Sequence, residues 1–89
     1  MNTVTREQRR HTRRVYKKVS DIVGHIVRTD DRDEMVIVGE VYRSDLYRLL
    51  ADESTKLWWL STPALLEAYR TERETGDIGN SPYVDGLAE

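Results

Sequence analysis

The chain has 89 residues, two His, no Cys and a formal net charge of −2 at pH 7. That length suits one small domain, which at this size buries only about 60–65% of the surface its unfolded chain exposes. The missing Cys excludes disulfides, thiolate metal sites and a Cys nucleophile, so a thin core is expected to lean on a partner subunit, most simply as a homodimer.

Thr5-Arg6-Glu7-Gln8 reads as a capping box. Val15, Val19, Ile22 and Ile26 follow at helical spacing, with Tyr16 and Val23 widening the stripe. This predicts a helix from about Thr5 to Val23, with Gly24 as its stop. Residues 1–28 hold eight basic side chains and only Glu7 and Asp21 against them, a surplus of six positive charges. The other 61 residues carry six basic and fourteen acidic side chains. Either the first segment meets a polyanion, or the two halves neutralise each other in the fold.

A β-hairpin is expected next. His25 to Thr29 is short and β-branched, Asp30 to Glu34 is a polar turn, and Met35-Val36-Ile37-Val38 is strongly β-forming. A competing helical stripe of Met35, Val38, Tyr42, Leu46 and Leu49 is opposed by three adjacent β-branched residues and Gly39. Ser44 then caps a second helix, with Asp45 at its positive end. Leu57-Trp58-Trp59-Leu60 forms an apolar block. Thr62 as cap and Pro63 at the first helical position open a helix to about Thr75, with Leu65, Leu66 and Tyr69 on its apolar face. Gly76 ends it, and Asp77 to Glu89 read as an extended tail. The expected fold class is therefore α+β: an N-terminal helix, a β-hairpin, two helices and a tail.

No stretch approaches the ~20 apolar residues that span a bilayer, and the N-terminus has no apolar leader core. A soluble, cytoplasmic protein without membrane contact is expected. Catalytic and metal motifs are missing: the five Gly are isolated, and Asp30 to Glu34 lacks the Gly and distal Glu of a calcium loop. His11 and His25 lie in different elements, and His11 reads as part of a solvated basic face. A binding protein without cofactor or metal is expected, and not an enzyme.

Two features carry function. Arg6, Arg9, Arg10, Arg13 and Arg14, with Lys17, load one side and one end of the first helix. Arg grips phosphate bidentately and reads guanine edges, which suits DNA. Trp58 and Trp59 are too much for a small core to bury together, so one is expected inside and the other as an interface anchor.

Two longer motifs carry a resemblance. Ser44-Asp45-Leu46-Tyr47-Arg48-Leu49-Leu50 follows directly on Met35 to Val38, and Leu57-Trp58-Trp59-Leu60-Ser61-Thr62-Pro63-Ala64-Leu65-Leu66-Glu67-Ala68 comes after it. With the order of elements over residues 3–75, this resembles the Phd/YefM family of bacterial antitoxins. Arg6-Glu7-Gln8-Arg9 departs from the family's Ser-Glu-Ala-Arg-type opening and places Arg9 at its DNA-contacting position. The acidic turn departs from a basic, Gly-containing one. The resemblance implies an antitoxin of a type II toxin–antitoxin pair. Residues 1–54 would dimerise and bind operator DNA, repressing the operon. Residues 55–89 would wrap a toxin through Leu57, Trp58, Trp59, Leu65, Leu66 and Tyr69. A phage or mobile-element accessory protein that binds a single host protein without DNA contact, or a small subunit of a larger assembly, stands as the alternative.

Overall fold

The computed structural model describes residues 5–85. The opening helix, α1, spans Arg6–Thr29 and starts as its sequence predicts. The Thr5 hydroxyl accepts the Gln8 N–H at 3.1 Å, and Gln8 Oε1 accepts the Thr5 N–H at 2.9 Å. Val15, Val19, Ile22 and Val23 are buried along one face. The helix does not stop at Gly24. Ile26 packs on the core one turn later, and the chain leaves the helix only at Asp30, in extended backbone. One interior Gly costs a helix about 1 kcal/mol, which packing of the partly buried Ile26 on the core offsets.

The hairpin is absent, and no strand occurs among the described residues. His25 to Thr29 belongs to α1, and the expected second strand is α2, Glu34–Tyr42. Its start is set by Asp33, whose carboxylate accepts the Met35 N–H at 2.8 Å. Ile37 and Val41, four residues apart, are each 1% exposed. Burying two such side chains contributes roughly 1.5–3 kcal/mol each, whereas each β-branched residue loses at most ~0.7 kcal/mol of helix propensity. Packing therefore overrides the β preference of Val36-Ile37-Val38. The buried face also differs from the stripe weighed in the sequence, because Met35 is 75% exposed.

The third helix, α3, spans Asp45–Ala51, capped by Ser44 through the Tyr47 N–H at 3.1 Å. Two 3₁₀ turns follow, Glu53–Thr55 and Leu57–Trp59. The fourth helix, α4, spans Thr62–Thr75. Its cap is Ser61, one residue earlier than the sequence suggests, with the Ser61 hydroxyl accepting the Ala64 N–H. Gly76 ends α4 in the left-handed region, at φ 78°.

The tail is not extended where it is described. A 3₁₀ turn, Ile78–Asn80, and a short helix, α5, Pro82–Asp85, fold back beside α4. Ile78 and Val84 are both buried. Residues 86–89 of the expected tail lie outside the described residues. One apolar cluster runs through the whole fold, with Ile22, Leu46, Leu50, Leu57 and Leu65 completely buried in it. It draws on both sides of residue 54, so the dimerising and partner-binding segments expected from the sequence share one core. No helix among the described residues is long and apolar enough to cross a membrane.

Candidate functional site

Helical geometry places Arg6, Arg9, Arg10 and Arg13 on one face of α1, and they line a single shallow surface depression. This face points away from the core, and Lys17 continues it one turn on, also exposed. Thr5 to Arg10 are all exposed, and His11 is the first buried residue. The start of α1 thus projects by about one and a half turns beyond the packed body.

Among the described residues the ladder has no ion-pair partner. Ion pairs among the described residues involve Arg32, Arg48 and Arg73, and none reaches an α1 cation. The acidic residues have other work. Asp30 and Glu40 both hold Arg32, at 2.8 and 2.7 Å, and Glu40 also meets Arg73 at 3.5 Å. Arg32 holds the Asp30 carboxyl below its ordinary pKa, first through its backbone N–H and then through its side chain. The run Asp30 to Glu34 is therefore a turn pinned by its own Arg. Among the described residues, no group of three or more His, Asp or Glu is placed to hold a metal.

Arg14 leaves the ladder and lies over the Trp58 ring, 4.6 Å from its centroid. The same indole meets His11 edge-on, with centroids 6.0 Å apart, and its Nε1–H donates to the Glu53 carbonyl at 3.3 Å. His11 is not on a solvated face. It is 7% exposed, and its Nε2 lies 2.9 Å from the Ala51 carbonyl. Since a carbonyl only accepts, Nε2 carries the proton and joins α1 to the end of α3. The signal was in the sequence: His11 stands four residues before Val15, on the apolar stripe.

The two adjacent Trp divide as expected. Trp58 is half-buried against the core, while Trp59 is 72% exposed. Their rings meet edge-on at 5.6 Å. The Lys56 ammonium stands 6.0 Å from the Trp59 ring, at the limit of a cation–π contact. Lys56 is the only non-Gly residue at positive φ among the described residues, at 57°. That conformation turns the chain sharply between the two 3₁₀ turns and puts Trp59 outward while Leu57 goes in. Leu57, Leu65, Leu66 and Tyr69, expected at a partner interface, are all buried in the chain's own core.

Comparison with protein-family models, with curated proteins and with solved structures returns no match. A functional reading therefore rests on the site itself. It offers a projecting row of guanidinium forks, two further cations beside aromatic rings, and one open indole.

A second surface lies between α1 and α2. Tyr16, Val19, Val23, Val38 and Tyr42 line an open groove there, and Tyr16 is 68% exposed. Ser20 and Glu34 add polar groups to its lining.

Proposed function

We propose that this chain binds nucleic acid, gripping the phosphate backbone with Arg6, Arg9, Arg10, Arg13 and Lys17. The observation that carries this reading is the projecting face of α1, whose cations form no ion pair with a described carboxylate. Its placement is costly for the fold. Arg6 and Arg9 stand near the positive end of a helix dipole, and Arg6, Arg10 and Arg13 repel one another at spacings of four and three. Stability alone would favour acidic residues at such a helix start. A polyanionic ligand reverses the sign of every one of these terms.

Guanidinium forks match phosphate oxygens in pairs, which suits Arg better than Lys here. A membrane surface fits less well. A helix lying on lipid needs a free apolar face, and that of α1 is consumed by the core. The resemblance to antitoxins was carried in part by a β-hairpin that the fold does not contain. The proposal keeps its polyanion-binding half. Of the six side chains assigned to the toxin, only Trp58 and Trp59 reach the surface.

A salt titration of the full chain on a labelled oligonucleotide tests this. Log affinity should fall linearly with log salt, each neutralised phosphate adding about −0.7 to −0.9 to the slope. Replacing Arg6, Arg9, Arg10 and Arg13 together by Ala should weaken binding and flatten that slope. Absence of binding at low salt refutes the proposal.

A further inference from the structure

The Trp59 indole is large, apolar and open to water, and the Trp58 ring meets it edge-on at 5.6 Å. Lys56 stands at 6.0 Å from it, and Arg14 lies on the neighbouring Trp58 ring at 4.6 Å. Arg10 and Arg6 follow Arg14 up α1 at successive turns, each about 6 Å further along the axis. A protein hot spot is usually a Trp, Tyr or Arg set in a ring of contacts that exclude water. An open indole with Lys56 beside it and the Arg14-covered Trp58 ring next to it suits a ligand that alternates a flat π face with a negative charge.

The platform is also held firmly. The Trp59 N–H donates to the Lys56 carbonyl at 3.0 Å, and the Leu60 N–H donates to the Leu57 carbonyl at 3.0 Å. Leu57, two residues before Trp59, is completely buried. The Thr55 hydroxyl accepts the Leu57 N–H at 3.2 Å and donates to the Leu49 carbonyl at 2.6 Å. These bonds fix the backbone that carries the ring, so little chain ordering remains when something stacks on it.

From these contacts we infer that Trp59 is a base-stacking platform, and that the ligand of the basic face is single-stranded nucleic acid. An unpaired base stacks on the open indole face, and the flanking phosphates pass to Lys56 on one side and to Arg10 and Arg6 on the other. Duplex bases are stacked on each other and cannot reach the ring. This inference rests on the phosphate-binding reading of α1 and adds the class of ligand to it.

The test compares the full chain and two variants by fluorescence anisotropy on two probes at one low salt concentration. The probes are a short oligothymidylate and a blunt two-strand duplex with the same number of phosphates. The wild-type chain should prefer the single strand. Trp59→Ala should weaken single-strand binding roughly 5- to 100-fold, the range expected for one lost base–aromatic stack, and leave duplex binding unchanged. Trp59→Phe, which keeps a π face, should retain most of the affinity. Trp59 is exposed, so both variants should keep the wild-type helical circular dichroism. Equal single-strand affinity for Trp59→Ala and wild type overturns the platform while leaving the phosphate-binding reading intact, and would hand Trp59 to a protein partner. Equal losses on both probes overturn it too. Failure of the wild type to bind either probe removes the phosphate-binding reading itself.

Discussion

The Glu72 carboxylate of α4 accepts the backbone N–H groups of Asp45 and Leu46, both at 2.9 Å, from 27 and 26 residues away in sequence. These are orphan donors at the start of α3, so one side chain caps a helix to which it does not belong. The contact places a negative charge at the positive end of α3 and fixes α4 against it. Glu72→Ala should lower unfolding stability by about 1–3 kcal/mol, since two amides at the α3 start lose a charged acceptor. Glu72→Gln, which keeps one acceptor oxygen, should lose less. Urea unfolding followed by circular dichroism checks both. Wild-type stability for Glu72→Ala would mean that water replaces the carboxylate at no cost.

Two glycines should respond in opposite directions. Gly24 lies inside α1, and a Cβ built there meets nothing within 4 Å. Gly24→Ala should stabilise the chain by about 0.5–1 kcal/mol through helix propensity. Were Gly24 the end of the helix, as its sequence position suggests, the same change would not stabilise. Gly76 sits at φ 78° after α4. Gly76→Ala should destabilise by roughly 1 kcal/mol, because an L side chain is strained there. Thermal melts of the two variants, run side by side, read both signs.

The pH dependence of the Trp ledge follows from Asp52. Its carboxylate accepts the Ser54 hydroxyl at 2.6 Å and the Ser54 N–H at 3.0 Å, which pins the first of the two 3₁₀ turns. These bonds, the hydroxyl first, hold its pKa below the ordinary Asp value. A depressed carboxylate contributes stability that is present above its unfolded pKa and lost as pH falls through its folded one. The ledge should therefore stay ordered through neutral and mildly acidic pH and loosen only at strongly acidic pH. Asp52→Asn should remove that acidic transition from the Trp fluorescence. Its persistence in the variant would assign it to another carboxylate.

The legible parts of this fold were those governed by local chemistry. Thr5 and Gln8 announced the start of α1, Ser44 the start of α3, and the period from Val15 to Ile26 the buried face. The hairpin was misread because Val36-Ile37-Val38 has strand propensity in isolation, and nothing local says that Ile37 and Val41 will be buried together. That burial is tertiary. The same reason hid the destination of Leu57, Leu65, Leu66 and Tyr69, which a larger partner or the chain itself could equally have covered. The tail was misjudged on its Gly and Pro content, although Ile78 and Val84 were enough to fold it back. The basic ladder was legible as a pattern. Its lack of ion pairs among the described residues was not, because ion pairs join residues far apart in sequence.

Stability and binding should part company along α1, and two arginines make the contrast. Arg6 opens the helix, is exposed and pairs with no described carboxylate. Arg6→Glu places an acid at the positive end of the dipole and should raise stability by about 0.3–1 kcal/mol. Arg14 instead covers the Trp58 ring at 4.6 Å. Arg14→Ala should cost about 0.5–1 kcal/mol of stability through the lost cation–π contact. If the ladder exists for phosphate, the more stable Arg6→Glu should bind the oligonucleotide more weakly than wild type, with a salt slope smaller by about one. Denaturant melts and salt titrations on the same two samples decide the matter. A variant that gains stability and keeps full affinity would mean that Arg6 serves neither the fold nor the ligand, and would leave the grip to the residues from Arg9 onward.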